Sequence, residues 1–267
     1  MDPATIAGLL IAFGALYGMV TLEGASVSSL LLPAPMLLVL VGTIAVGVAS
    51  STMKDVLHAV KSLPKAFGAK PPKPGDSIEH VVALAEQARR EGLLSLESAA
   101  AQTQDPFLRN ALQNIADGTD GEDLRELLDD AVEAKIKSDH TASKFFTTLG
   151  GYAPTVGIIG TVVSLTHVLE NLSQPEELGH MIAAAFVATL WGLLSANFIW
   201  LPIGARLGRL SELEVDRMTL VMEGVLAVQA GSQPTLLRER LTAMVPAYRQ
   251  QPAAKPGRTG ENGEKAA

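Results

Sequence analysis

The sequence predicts an all-α, polytopic membrane protein with four transmembrane helices and a helical cytoplasmic domain. Apolar residues make up 48% of its 267 residues and charged residues only 18%, whereas an ordinary soluble domain is about one quarter charged. The apolar residues gather in four runs that contain no Asp, Glu, Lys or Arg. Since about 20 helical residues cross the ~30 Å hydrocarbon core of a bilayer, each run is long enough to span it.

The four runs define the predicted spans. The spans cover residues 3–22, 31–51, 145–169 and 181–205. The first span is expected to stay in the mature protein, because an acid at position 2 stands where a signal peptide carries Lys or Arg. Glycines occur within all four spans, and in membranes a glycine lets helix backbones approach each other closely.

The distribution of basic residues predicts the topology. Lys and Arg follow the second span, precede the third and follow the fourth, whereas the two short connections, 23–30 and 170–180, contain none. The positive-inside rule therefore places the loop 52–144, the C-terminal helices 206–248 and both termini in the cytoplasm of an inner-membrane protein. Residues 249–267, rich in Pro, Gly, Lys and Glu, are predicted to be a disordered tail.

The cytoplasmic loop contains three helix-start signals. Asp76 is followed three residues later by a glutamate, Asp105 directly by a proline, and Thr119 three residues later by a glutamate. An apolar stripe with a period near 3.6 continues from Ile78 to Leu96, which predicts one helix over that stretch. The helix that starts after Thr119 meets no breaker before it enters the third span.

The spans contain no titratable acid. A protein that carries protons or cations across a membrane needs a carboxylate at depth, so any such acid is expected to come from another chain. Hydroxyl side chains are concentrated in the third and fourth spans. They point to those spans as the pair that faces a polar lumen, although each hydroxyl could instead bond only to its own helix backbone.

Several classes of protein are excluded or disfavoured by composition. The chain has no cysteine, and its five histidines are scattered without the spacing of metal ligands. No catalytic triad or phosphate-binding loop is present, so we predict neither an enzyme nor a resident cofactor or metal. A net charge of −7 argues against nucleic acid as a partner.

Pro154 and Pro202 lie inside the third and fourth spans. Each removes one helix hydrogen bond and bends the helix. Membrane helices tolerate such prolines without a role. The alternative is a hinge that transmits motion from an ion path to the cytoplasmic loop.

Five stretches of the chain resemble one protein family. They are residues 88–97 (ARREGLLSLE), 105–108 together with 117–118, 152–162, 178–192 and 223–231. Together they are similar to the MotA family of flagellar motor stator proteins, within the wider group that includes TolQ and ExbB. The resemblance covers nearly all of residues 4–245.

The resemblance implies a function and an assembly. Five copies of the chain would surround a dimer of the second stator protein, MotB, in the lipid bilayer, and the single span of MotB would carry the essential aspartate. Ion flow would turn the rotor through the protein FliG. Thr155, Thr161 and Thr189 are expected to line the ion path, and Pro154 and Pro202 match the family prolines tied to conformational change.

Two arginines are candidates for the residue that contacts the rotor. Arg89 and Glu97 match the charged loop residues of the family. On one continuous helix, however, Arg89 would fall at the centre of the apolar stripe, whereas Arg90 and Glu97, seven residues apart, would share an exposed face. Arg90 therefore stays an alternative to Arg89 as the residue that contacts the rotor. A further alternative is that this charged segment is only a solvated helix face with no partner.

Alternatives also remain for the coupling ion and for the cellular machine to which the chain belongs. Protons are the commoner ion in the family and are expected here, whereas the hydroxyl of Thr161 favours sodium. A TolQ- or ExbB-type energiser of an envelope system is the alternative function, but those relatives have three spans. A solute transporter would need intramembrane charge or broken half-helices, and the sequence indicates neither.

Overall fold

The computed structural model of the chain describes residues 3–250, which form ten α-helices joined by short turns and contain no strand. This confirms the predicted all-α class. In chain order the helices are α1 (Pro3–Leu22), α2 (Pro33–Ala49), α3 (Met53–Gly68), α4 (Pro74–Glu91), α5 (Leu96–Gln102), α6 (Pro106–Ala116), α7 (Gly121–Glu170), α8 (Pro175–Ser195), α9 (Leu201–Gln229) and α10 (Pro234–Ala243).

Several helices are apolar enough for a bilayer. Three helical segments are both long enough and apolar enough to cross a membrane. They are α1, α7 and the continuous run of residues 175–229. Helix α2 is apolar but has only 17 residues, which is about the lower limit for a spanning helix. On α1, Leu10 is 68% and Ile11 72% exposed, as expected for side chains that face lipid. The chain is a polytopic membrane protein, and the number of four spans stays a prediction.

The described residues form two compact units. The first contains residues 3–72 and 129–216, and the second contains residues 73–128 and 217–250. Helices α7 and α9 each contribute residues to both units. Most of the tail that was predicted to be disordered, residues 251–267, lies outside the described residues.

The second unit has its own apolar core, to which α4, α5, α6, α10, the start of α7 and the end of α9 contribute. Each large side chain removed from water there stabilises the unit by about 2 kcal/mol. Helices of the predicted cytoplasmic loop and of the C-terminal segment therefore share one core. Its fully buried side chains include Leu96, Leu112, Leu124, Leu128, Val221, Leu237 and Leu241.

Of the three helix starts predicted in the second unit, the structure confirms one and differs from the prediction at two. Asp105 caps α6, because its side chain accepts a hydrogen bond from Phe107 N at 3.0 Å, which confirms that prediction. Helix α7 is capped by Asp120, whose Oδ1 accepts from Glu122 N at 2.9 Å. The prediction of Thr119 as the cap was wrong by one residue.

Helix α4 also begins earlier than predicted. Its N-cap is Lys73 and its first residue is Pro74, because proline has a preset helical φ and no N–H to leave unsatisfied. Asp76 therefore lies in the first turn instead of at the cap. There its charge still interacts favourably with the helix dipole.

The stretch from Ile78 to Leu96 is not one helix. Helix α4 ends at Glu91, and Gly92 follows with φ +84°, a conformation that L side chains rarely adopt. A short 3₁₀ turn, Leu93–Ser95, then leads into α5. The prediction of a continuous helix was wrong because the apolar period continued past Gly92, whose positive φ ends the helix.

In the first unit, α2, α7 and α8 pack closely. A Cβ on Gly47 of α2 would overlap the side chain of Leu149 on α7. Trp191 on α8 donates from Nε1 to Leu30 O at 2.7 Å, which ties α8 to the turn between α1 and α2. Close packing of this kind fixes α7 and α8 beside each other, and it positions the hydroxyl residues described next.

Candidate functional site

Two threonines meet between α7 and α8. Thr161 Oγ1 hydrogen bonds with Thr189 Oγ1, and it also lies 3.1 Å from Gly157 O and 3.2 Å from Ala185 O. Both threonine side chains are half-buried. The structure thus brings together two of the three residues predicted to line the ion path, and protein atoms already satisfy the Thr161 hydroxyl.

The threonines meet because two glycines let the helix backbones touch. A Cβ on Gly157 would lie 2.9 Å from Ala188 O and 3.1 Å from the Cα of Gly192. A Cβ on Gly192 would lie 2.8 Å from Ala153 O. No other residue type fits at either position without moving the backbone, which is how small residues work in membrane helix contacts.

Thr155 lies apart from this pair. Its side chain is exposed, and its Oγ1 donates to Tyr152 O at 2.7 Å within α7. Six residues separate Thr155 from Thr161, so at 3.6 residues per turn their side chains point about 120° apart. Within one chain, Thr155 and the Thr161–Thr189 pair therefore belong to different faces of α7.

Pro154 lies in the interior of α7, which continues through it as one helix of 50 residues. Its side chain is half-buried. The residue before it, Ala153, presents the carbonyl that faces Gly192. Pro154 therefore lies next to the closest contact between α7 and α8.

Pro202 is accompanied by a visible change in the backbone. Residues Ala196–Trp200 form a π-helical turn, and Leu201 N donates to Ala196 O, five residues back instead of four. Proline cannot donate a hydrogen bond, and its ring clashes with the carbonyl four residues earlier. The wider turn relieves that clash, which explains why the irregularity directly precedes Pro202.

The charged residues predicted to contact the rotor lie around the turn between α4 and α5. Arg89 and Arg90 are exposed in the last turn of α4, and Glu97 is exposed in the first turn of α5. The argument that Arg89 would be buried in the apolar stripe was wrong, since Gly92 ends α4 before the stripe reaches Leu96. Arg90 lies 3.6 Å from Glu86 on its own helix.

Residues that the sequence did not single out hold this turn in place. Gln87 Nε2 donates to Ser95 O at 3.0 Å, and Ser95 Oγ donates to Gly92 O at 2.7 Å. Leu96 is fully buried beneath the turn. The serines could have been recognised as local turn formers, but the contact of Gln87 across eight residues has no signature in the sequence.

Two ion-pair networks reinforce the second unit and were also missed. Asp105 Oδ2 accepts from Arg217 Nη1 at 2.6 Å, so the cap of α6 is also tied to α9. Glu223 accepts from Arg125 at 2.7 Å and from Arg240 at 3.1 Å. The paired residues are far apart in sequence, so no spacing rule could have paired them.

The fold and these residues define a class of protein. It is an all-α, polytopic membrane protein in which two tightly packed helices present hydroxyls in their uncharged stretches, residues 145–169 and 181–205, where neither helix has a carboxylate. The protein also carries a separate helical unit with a charged, exposed turn. Within residues 3–250, no group of three or more His, Asp or Glu side chains is placed to hold a metal ion.

Known proteins of this class match the chain along its length. The profile of the MotA/TolQ/ExbB proton channel family matches residues 99–220. Motility protein A of Bacillus subtilis (strain 168) is 35% identical over 270 residues, covering 99% of this chain and 98% of that protein.

Solved structures agree with the sequence matches. A chain of the flagellar MotAB stator complex from Bacillus subtilis has a TM-score of 0.87 at 34% identity, covering 92% of this chain and 97% of that chain. A chain of C. jejuni MotAB has a TM-score of 0.90 at 26% identity, covering 94% and 99%. The chain belongs to the MotA family, and the resemblance found in the sequence is confirmed.

Proposed function

We propose that the chain is the MotA-type component of a flagellar stator, which forms a transmembrane ion path with MotB and couples ion flow to torque on the rotor. The observation that carries this is the helix pair α7–α8, which presents Thr161 and Thr189 but no acid within the membrane. Since ion passage needs a carboxylate at depth, MotB supplies it. The proposal assigns the chain no enzymatic reaction.

The assembly extends this proposal. Five copies of the chain surround two copies of MotB, each chain crosses the inner membrane four times, and both termini lie in the cytoplasm. The second unit contacts FliG of the rotor through the exposed turn that carries Arg89 and Glu97, with Arg90 as the alternative. The one-sided distribution of Lys and Arg around the spans supports this orientation.

Protons are the proposed coupling ion. The hydroxyl of Thr161 lies within hydrogen-bonding distance of Thr189 and two backbone carbonyls, so part of its hydrogen-bonding capacity is already used within the protein. The mutual hydrogen bond of the threonines therefore reduces the weight of Thr161 as an indicator of sodium.

Reconstitution into liposomes tests the proposed function. The chain is purified alone and together with MotB, and ion flux is followed with a dye for protons and one for sodium. Flux is expected only from the complex, and replacing the membrane aspartate of MotB by asparagine should abolish it. Ion conduction by the chain alone would contradict the proposal.

A TolQ- or ExbB-type energiser is the alternative, because the matched family profile includes those proteins. The two functions separate in cells that lack the chain. Loss of swimming with an intact envelope supports the stator, whereas detergent sensitivity with normal swimming supports the energiser.

A further inference from the structure

A cavity of about 550 Å³ opens in the first unit, between the end of α2, the start of α3 and α7. Its volume is large enough for several water molecules, each of which occupies about 30 Å³ in the liquid. The cavity brings together charged, titratable and hydroxyl groups. Its lining includes Ser51, Asp55, His140, Lys144, Thr148 and Tyr152.

The cavity lies at the boundary of the predicted membrane region, and a row of hydroxyls leads inward from it. Lys144 is the last charged residue of α7 before the uncharged stretch. Thr148, Tyr152 and Thr155 follow at spacings of four and three residues, so they share one face of the helix. From Lys144 to Thr155 the helix rises about 16 Å, roughly half of the hydrocarbon core.

Two of these hydroxyls have no protein partner. Among the described residues, neither Thr148 nor Tyr152 makes a side-chain hydrogen bond, although both line the cavity. Thr147, at the same depth on a neighbouring face, donates instead to Lys144 O at 2.9 Å. Threonines in membrane helices ordinarily satisfy themselves in that way. A hydroxyl that does not do so is available to water or to an ion.

We propose that this cavity and the hydroxyl face of α7 above it form the cytoplasmic half of the ion path. This inference rests on the proposed function. It adds a route between Thr155 and the cytoplasm, on a different face of α7 from the Thr161–Thr189 pair. Water in the cavity relays the proton between the level of Thr155 and the cytoplasm, and the hydroxyls of Thr148 and Tyr152 hydrogen bond to that water. Asp55 and His140 lie at the mouth.

The positive charge of Lys144 at the cavity leads to a specific prediction about ion flux. Among the described residues its ammonium has no ion-pair partner, and it opposes the entry of cations at the mouth. Replacing it with a neutral residue of similar length, Lys144→Gln, is therefore expected to raise cation flux at low salt, and the gain should shrink at high salt as screening grows. A fall in flux would instead mark the cavity as an anion site, such as one for a lipid phosphate, and would overturn the proposal.

The hydroxyl of Thr148 is tested with a matched neighbour. Thr148→Val keeps the shape of the side chain and removes its polar atom, and Thr147→Val does the same at the same depth outside the cavity. In liposomes with MotB, Thr148→Val should lower flux about fivefold, and Thr147→Val should leave it near the parent value. Equal flux from both variants would refute the route.

Cysteine labelling measures water access separately from conduction. The chain has no natural cysteine, so Thr148→Cys and the buried control Ala153→Cys each carry one thiol. In complexes that still retain MotB, a charged thiol reagent applied from the cytoplasmic side should label only position 148. If the parent complex conducts but position 148 stays unlabelled, the inference fails alone. If the parent complex does not conduct, the proposed function fails instead.

Discussion

Glu223 illustrates how single residues stabilise the second unit. Its side chain is only 18% exposed and lies between Arg125 and Arg240. The hydrogen bond from Arg125 holds the pKa of Glu223 below its ordinary value of 4.5, the charges of both arginines act in the same direction, and burial opposes them. A carboxyl whose pKa is lowered by folding stabilises the fold while ionised. That contribution is complete above pH 4.5 and is lost as the pH falls through the lowered pKa.

Replacing this carboxylate should therefore have a pH-dependent effect. Glu223→Gln is expected to reduce the free energy of unfolding at neutral pH by about 1–2 kcal/mol, and the difference from the parent should narrow below pH 4.5. Thermal unfolding of the purified protein, followed by circular dichroism, measures both. The control Glu133→Gln removes an exposed partner of Lys137, and it should change stability little. A difference that does not vary with pH would contradict the assigned role.

Charge reversal around the exposed turn decides between Arg89 and Arg90. Arg90 has an ion-pair partner on its own helix, Glu86, whereas Arg89 has none among the described residues. Arg89→Glu is therefore expected to impair swimming more than Arg90→Glu, because a charge without a local partner is available to the rotor. Swimming in soft agar is scored alongside retention of MotB in membranes. Impairment by the Arg90 change alone would show that Arg89 is the wrong residue.

At the scale of elements, the contact between α7 and α8 depends on glycine. Gly157→Ala and Gly192→Ala each place a Cβ within 3.0 Å of a backbone carbonyl on the other helix. We expect each to lower stability by about 1–3 kcal/mol through overpacking and to reduce ion flux by moving the backbones of α7 and α8 apart. Thermal unfolding in detergent and flux in liposomes provide the two measurements.

A third glycine on α7 provides the control. A Cβ on Gly151 would meet nothing within 4 Å, so Gly151→Ala should be neutral or slightly stabilising, since alanine favours the helix. If Gly151→Ala proved as harmful as Gly157→Ala, helix propensity or assembly, and not the contact with α8, would be responsible.

The π-helical turn before Pro202 is a second property of an element. Pro202→Ala restores a backbone N–H, so the helix can return to regular hydrogen bonding over Ala196–Trp200 and its stability should hold or rise. If the irregular turn is needed for motion during ion passage, swimming should fall although the stator still assembles. Pro175→Ala, at the first turn of α8 where proline is harmless, is the matched control. Unimpaired swimming with Pro202→Ala would mean that the bend is only tolerated.

At the scale of the whole molecule, the coupling ion is a property of the complex. With protons as the ion, swimming speed is expected not to change with sodium concentration when the proton-motive force is held constant. Thr161→Val should then keep much of the flux, because its hydroxyl is not needed to coordinate an ion. Speed that rises with sodium, together with loss of flux in Thr161→Val, would reverse this assignment.

Most helices could be predicted because their causes are local. Uncharged runs predicted apolar helices such as α1, and Asp105 followed by proline predicted the start of α6. Errors occurred where a local signal had a competitor. Proline at position 74 displaced Asp76 from the cap, and Gly92 ended a helix whose apolar period continued beyond it.

The candidate site was predictable in part for the same reason. Thr161 and Thr189 were identified by residue type and resemblance, and the structure brings them together. Thr155 was grouped with them, but it faces elsewhere on α7. Nothing in the sequence indicated the ion pair between Arg217 and Asp105 or the free hydroxyl of Thr148. Both depend on which helices become neighbours.

By itself, the sequence determined that the chain enters a membrane, that its spans carry hydroxyls without an acid, and to which family it belongs. These follow from composition and short-range order, because transfer of an apolar run into lipid depends on the run alone. Only the tertiary structure decided which hydroxyls meet and which remain without a protein partner beside a cavity. The contact between Thr161 and Thr189 depends on backbone approach at glycines 157 and 192, where residues distant in sequence meet.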